Sequence, residues 1–336
     1  MTRVAGIDPG TVSFDLCGLD DGEVVLERSF ATADVGADPA LLVDTLVAHG
    51  PFDVVLGPAG YGLPLVPAEQ VGERELALIV LVRSDEPSGP AGVGGMRAIV
   101  RALLAAGLPL VFGPGAIHLP SIPAHRKWNR IDLGTADKVA SAALCIAEQA
   151  SRLGVGIDQT SFVLLELGGA FSAGLAVDGG RIVDGLGGSA GPIGARACGA
   201  MDAEVAYLLG AALSKRTVFS GGALETPDGD GWLALEEGAA KAALALTISA
   251  PEPREILLTG RHAPQLLDGL GARLAHVAPV RLTAASAAAA RGAAVLADGL
   301  AGGRHAALVE RLGVRDASGS ALDHLRIHGA GSITLR

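Results

Sequence analysis

The sequence predicts an α/β fold built as two related halves with a cleft between them, and three observations carry that prediction. Apolar runs alternate between helix-like and buried-strand patterns along the chain. The opening segment repeats, without a gap, at a constant offset of 158 residues. Glycine supplies 48 of 336 residues, roughly twice its usual share of ~7%. So much glycine in a foldable chain implies tight turns or backbone that must approach something closely. The length itself suits two domains at a prior of about 150 residues each.

The repeat is read directly. RVAGIDPGTVSFDLCGLDDGEVV opens the chain, and TSFVLLELGGAFSAGLAVDGGRIVD begins at Thr160. Asp8 falls on Glu166, Gly10 on Gly168, Thr11 on Gly169, Asp20 on Asp178 and Gly22 on Gly180. Each copy reads as an apolar strand, an acid-x-Gly turn, a strand of small residues, an Asp-x-Gly turn and a third strand.

After the first copy come a helix (Ala40–Gly50), a buried strand (Phe52–Pro58) and the apolar run Leu76–Val82. A helix (Gly95–Gly107) and a strand (Leu108–Gly113) follow, and a bridging helix is expected over Gly134–Gly154. The second copy leads into helices at Met201–Leu213 and Leu235–Ser249 and a strand at Glu255–Gly260. Helices around Leu266–Leu274, Ala284–Leu300 and Ala306–Leu312 complete the chain. Domain boundaries are expected at 1–134, at 135–283 (entered by a bridging helix over 135–154), and at a returning helix, 284–302. A loosely held tail, 303–336, would end the chain.

Composition excludes several classes. The net charge of −10 argues against a nucleic-acid or acidic-membrane surface, and 49% apolar with 18% charged residues argues against disorder. The longest apolar stretch, Ala102–Ile117, is too short for a membrane span and is broken by glycine and proline. Cys17, Cys145 and Cys198 lie far apart, which reads as a reduced, cytoplasmic protein without disulfides or zinc. The first residues lack the apolar run of a signal peptide.

A hairpin turn carrying Asp, Gly, Thr and Ser presents bare backbone N–H groups and hydroxyls suited to phosphate. A carboxylate at the strand end would repel that phosphate unless a divalent cation lay between them, so Mg²⁺ is implied. The phosphate-binding residues expected are Asp8, Gly10, Thr11 and Ser13 in one hairpin, and Gly168, Gly169 and Ser172 in the other. The ordinary alternative is a pair of plain turns.

IDPGTVS resembles the first phosphate motif of the actin, sugar-kinase, heat-shock-protein and acetate-kinase superfamily (ASKHA), and ELGGAFS resembles its second. The stretch Glu166–Leu208 and the GTADK of Gly134–Lys138 are similar to the acetate and butyrate kinase branch. HRKWNRIDLGTADK and GGSAGPIGARACGAMDAE resemble, more closely, the predicted butyrate-kinase-like proteins of domain of unknown function 1464. The resemblance implies duplicated ribonuclease-H-like (actin-like ATPase) domains, ATP and Mg²⁺ as cofactors, an ATP-dependent kinase and a homodimer. It places Arg196 where a guanidinium stabilises the transferring phosphoryl group, and Gly221, Gly222 and Gly260 in loops beside the adenosine. The chain departs from acetate kinases in two places. Gly113 and Pro114 stand where those enzymes keep an aspartate, and Thr283–Ala290 lacks their metal-binding glutamate. The metal then falls to Asp8, Glu166 and Asp202.

The densest polar cluster is HRKWNRIDLGTADK, from which His125, Arg126, Asn129 and Lys138 are expected to bind an anionic small-molecule acceptor. Asp132 is the candidate base and His118 a further catalytic candidate. With Asp132 as base the acceptor is an alcohol such as a hydroxy acid; with cations alone it is a carboxylate, already ionised at pH 7. The alternatives are a nucleotide-binding sensor or scaffold with little chemistry, and a serine hydrolase using Ser189 of GGSAG. Pro192 and Gly194 fit poorly with the helix that a nucleophile elbow must enter.

Overall fold

The computed structural model describes residues 1–86, 93–226, 229–285 and 287–336. The first half contains β1 (Arg3–Pro9), β2 (Ser13–Asp20), β3 (Glu23–Ala31), α1 (Thr32–Ala37), α2 (Ala40–His49), β4 (Val54–Gly57) and β5 (Val66–Pro67). It continues with α3 (Glu73–Val80), α4 (Val93–Ala105), β6 (Leu110–Phe112) and α5 (Ala124–Lys127). The long α6 (Ala136–Leu153) leads to β7 (Phe162–Leu167), β8 (Ser172–Asp178), β9 (Arg181–Leu186), α7 (Ala203–Leu209), α8 (Lys215–Val218) and α9 (Gly231–Leu246). Then come β10 (Glu255–Thr259), α10 (Ala263–Leu274), β11 (Val280–Leu282), α11 (Ala288–Leu300) and α12 (Ala306–Leu312).

The strand orders are β3-β2-β1-β4-β6-β5 and β11-β10-β7-β8-β9. Read from the third strand, both sheets follow one plan: two antiparallel pairings, then two parallel ones, with β5 added antiparallel at one edge. The agreement extends to irregularities. A register shift lies at Gly18/Leu19 in β2 and at Ala176/Val177 in β8, positions related by the same 158-residue offset. The turns that follow, Asp21–Gly22 and Gly179–Gly180, both hold two consecutive residues at positive φ. That is the backbone of the two-residue hairpin turn matched to strand twist.

Alternation along β7 shows how the second sheet is covered. Phe162 and Leu164 join a core with α6, α11 and the first sheet, whereas Val163 and Leu165 join a second core with α9 and α10. A strand buried on both faces reads as a continuous apolar run, as FVLLEL does. Helices α6 and α11 pack on each other, α11 against β1 and α6 against β8. The close approach of α11 explains Gly6: a Cβ there would lie 2.6 Å from the Ala290 carbonyl oxygen and collide with Ala293 and Ala294. The alanine run of α11 is therefore a packing surface for a strand backbone.

Some expectations shift. The apolar run Leu76–Val82 is mostly helix, in α3, where five of its residues are buried on one short segment. The helix expected from Ala284 begins at Ala288, and Ser286 within that stretch lies outside the described residues. The tail is not loose. Arg83 bridges Leu335, the Arg336 N–H donates to the Val82 carbonyl (3.1 Å), and the Ser318 N–H donates to that of His118 (3.1 Å). Leu322 and Leu335 pack on the main core, an anchoring that polar tail composition did not advertise.

Candidate functional site

The β1–β2 and β7–β8 hairpins meet at their turns. A Cβ on Gly169 would sit 2.7 Å from Val12 Cγ2, so the tip of one turn is seated on the other. Behind the tips, Asp8 and Glu166 each lie one residue from the end of their strands, β1 and β7. Asp8 Oδ1 and Glu166 Oε2 are both shielded from solvent and neither has a hydrogen-bond partner. Lys138, at the start of α6, donates to Glu166 Oε1 (2.7 Å) and pairs with Asp137, which also accepts from the Thr135 hydroxyl. The side chains of Asp137, Lys138 and Glu166 are only 14–18% exposed.

Three carboxylates around one ammonium leave a surplus of negative charge, and the acids respond to it. Burial, reinforced by the charge of Asp137, raises Asp8 well above the ordinary carboxylate range. Burial also raises Glu166, with Lys138 opposing. Asp137 differs: burial opposes its ionisation, but Lys138 and Thr135 outweigh burial and hold it low. Two orphaned carboxylate oxygens facing excess negative charge are what a divalent cation satisfies. No group of three or more His, Cys, Asp or Glu side chains among the described residues is arranged to hold a metal unaided.

Arg196 spans the hairpins. Its Nε donates to the Gly169 carbonyl (3.1 Å) and an Nη to the Thr11 hydroxyl (3.3 Å). The glycine loops expected beside adenosine adjoin it. The Gly222 N–H donates to the Arg196 carbonyl (3.0 Å), and the Gly221 N–H to Glu225 Oε2 (3.2 Å). The Gly260 loop returns to the second hairpin, with the His262 N–H donating to the Leu167 carbonyl (2.9 Å). In the turns themselves, Thr32 donates to the Gly10 carbonyl, Ser13 to Asp15, and the Gly168 N–H to the Phe171 carbonyl (2.9 Å). Ser172 begins β8 opposite Leu167 and is buried.

The acceptor residues inferred from the dense polar cluster do not come together. His118 is 2% exposed, hydrogen-bonded to the Gly115 carbonyl (3.2 Å), and burial pushes it down to about 4, a neutral packed imidazole. Arg126 donates to the Val183 carbonyl on β9 (2.7 Å). Asn129 accepts from the Arg326 N–H (2.7 Å), and Arg326 stacks over Trp128 at 3.9 Å, so this segment seats the tail. His125 is exposed on α5. Asp202 caps α7 by accepting from the Glu204 N–H (2.8 Å) and is itself exposed. Of these, only Lys138 reaches the carboxylate cluster.

Asp132 is placed as a clamp. One carboxylate oxygen accepts from the Gly134 N–H (3.0 Å), and the other from both the N–H and hydroxyl of Ser189 (3.0 Å each). Ser189 itself lies in a turn after β9, not on a strand-to-helix elbow. Asp132→Ala is expected to leave those donors unpaired in a site only 5% exposed, costing about 3 kcal/mol and several degrees in thermal midpoint. Asp132→Asn should recover part of the loss, as differential scanning fluorimetry would show.

Five residues about the cleft escaped the sequence reading. Asp137 lies in the first turn of α6, where an acid has an ordinary capping role. Tyr61 and Lys215 come from opposite halves, and Lys215 Nζ donates to the Tyr61 hydroxyl (3.1 Å) while lying 4.6 Å from its ring centre. Burial lowers Lys215 to about 8, with Asp132 and Glu86 opposing. An ammonium so dehydrated is a ready partner for an anion. Beside the Gly260 loop, Trp232 and His262 meet edge-on with ring centres 5.4 Å apart. Only the spacing of a single lysine and lone aromatics preceded these contacts in sequence, and no motif marked them.

A family model described as "Protein of unknown function (DUF1464)" matches residues 6–327. None of the curated proteins matches in sequence. Among solved structures, a propionate kinase from Francisella tularensis subsp. tularensis is similar, with a TM-score of 0.60 and 12% identity over 87% of this chain and 99% of its own. The acetate kinase of Porphyromonas gingivalis is similar at a TM-score of 0.58 and 12% identity, over 86% and 98% of the two chains. That of Entamoeba histolytica reaches 0.58 and 10% identity, over 87% and 98%. The likeness establishes the actin-like ATPase fold of duplicated ribonuclease-H-like units.

Proposed function

The chain belongs to the DUF1464 family within the ASKHA superfamily, and from that starting point we propose that it is an ATP-dependent kinase of a small carboxylate, forming an acyl phosphate. The carrying observation is the pair of equivalent hairpins brought tip to tip, with orphaned oxygens of Asp8 and Glu166 behind them and Arg196 across them. ATP with Mg²⁺ supplies the transferable phosphoryl group and a cation that separates phosphate from carboxylate.

The chain's own residues then have distinct roles. The turns around Gly10–Thr11 and Gly169 would offer backbone N–H groups to phosphate oxygens, with the Thr11 and Ser13 hydroxyls beside them. Lys138 fixes Glu166 so that its unpaired oxygen stays available. Arg196 offers a planar fork to charge spreading over equatorial oxygens. Gly222 lets its loop lie against the Arg196 backbone and Gly260 lets its loop lie against Leu167, which brings both loops, with Gly221, beside the hairpin, where the Trp232–His262 pair provides an aromatic wall for the adenosine.

A carboxylate acceptor is favoured over an alcohol because Asp132, the candidate base, already spends its oxygens on Gly134 and Ser189. An ionised carboxylate needs no base: its oxygen attacks the γ-phosphorus and ADP departs. Lys215, beside Tyr61, would hold the acceptor's charge.

The test is ADP release from ATP–Mg²⁺ by the purified protein across panels of small carboxylates and of small alcohols. Carboxylate-dependent turnover trapped as hydroxamate supports the reading. Alcohol-dependent turnover overturns the acceptor class, and ATP binding with no acceptor-dependent release assigns a nucleotide sensor instead.

A further inference from the structure

A second cavity, of about 430 Å³, is lined by no residue of the hairpin tips or of the carboxylate cluster behind them. Its walls come from the β2–β3 turn, the C-terminal half of α6, β11 and α11, so both sheets contribute. The distance from the cleft follows from the elements. The cavity uses α6 from Leu144 to Arg152, beginning six residues beyond Lys138, or about 9 Å at ~1.5 Å per residue. It also uses Leu19 and Gly22, at the opposite end of β2 from the Ser13 turn.

Four arginines line it: Arg152, Arg281, Arg291 and Arg304. The acids able to balance them are few. Glu255 takes Arg152 and, at 3.1 Å, Arg281 Nε, and Arg304 reaches Glu23 at 3.3 Å and the Gly22 carbonyl. Glu148, the lining carboxylate, accepts from the Ala284 backbone and is raised by burial, with Arg291 and Arg152 opposing. The Arg291 guanidinium has no hydrogen-bond or ion-pair partner among the described residues.

In a chain of net charge −10, four guanidinium groups converging on one cavity are a concentrated exception. Guanidinium forks match phosphate oxygens in geometry, and a multiply charged anion satisfies several at once. We propose that this cavity is a second anion site, which takes a small molecule bearing phosphate or pyrophosphate, separate from the cleft.

The experiment is calorimetric titration of the full chain with inorganic pyrophosphate, without Mg²⁺. Wild type is compared with Arg291→Gln, Arg281→Gln and the hairpin variant Gly169→Val. Arg281, 46% exposed, gives a variant whose fold the core does not depend on, and thermal midpoints check both arginine variants. The expected result is at least a tenfold weakening in each arginine variant, with binding kept in Gly169→Val and ATP affinity unaltered in Arg281→Gln. Equal pyrophosphate affinity in wild type and both arginine variants overturns the proposal. So does binding that is lost only in Gly169→Val, which would locate the anion in the cleft.

Discussion

Arg196→Ala is expected to lower turnover by about a thousandfold while ATP binding changes only severalfold. The scale is that of an arginine that stabilises charge developing on a transferring phosphoryl group. Its contacts in the free protein, a carbonyl at 3.1 Å and a hydroxyl at 3.3 Å, are exposed and contribute little to stability. The variant should therefore unfold within about a degree of wild type, so lost turnover reports on the reaction and not on folding. Arg196→Lys keeps the charge but not the fork, and should restore less than a tenth of the activity. Steady-state ADP release and equilibrium ATP binding, measured on the same preparations, separate the two effects. A kcat within threefold of wild type in Arg196→Ala would reduce Arg196 to a link between hairpins.

The hairpins were legible in sequence because their determinants are local. Acid, glycine and turn residues recur at a fixed offset, and the shared register shift shows that the repeat encodes twist as well as length. The α/β class followed from strands alternating with helices. The partners of the dense polar cluster were not legible, for a physical reason. HRKWNR is polar because it binds carbonyls of β9 and the returning tail, and charge density alone does not distinguish a solvated site from a docking seam. Tyr61 and Lys215 are 154 residues apart, and only the folded halves bring an ammonium onto that ring. Asp137 hid behind a sufficient local role at the start of α6. The missing aspartate at Gly113–Pro114 draws a similar lesson. The cleft collects its carboxylates from β1, α6 and β7 instead.

Asp8→Asn is expected to abolish Mg²⁺-dependent turnover to below about one per cent and, without metal, to make the protein more stable. Both follow from one arrangement. Asp8 keeps an unpaired oxygen beside Asp137 and Glu166, with Lys138 as the cation placed among them in the described residues. Its carboxyl is raised in the native state from an ordinary value of 3.8. In the window between that value and the raised one, the native chain holds a proton that the unfolded chain has released. Stability is therefore full below the window and falls as pH rises through it. Above the window the cost is fully present, and an uncharged asparagine removes it. A gain of about 1 kcal/mol corresponds to roughly 2 °C at this chain length. Asparagine should also flatten the fall of the midpoint with rising pH. Mg²⁺ with ATP reverses the order, because the cation stabilises a charged Asp8 and has little to gain from an amide. The wild-type midpoint should then climb above that of the variant. A variant that is less stable than wild type without metal, or that gains as much from Mg²⁺–ATP, would mean that Asp8 holds the fold together and not the cation. The unpaired oxygen would then be a packing accident, whereas its position opposite Glu166 in a duplicated hairpin argues that its instability is retained for binding.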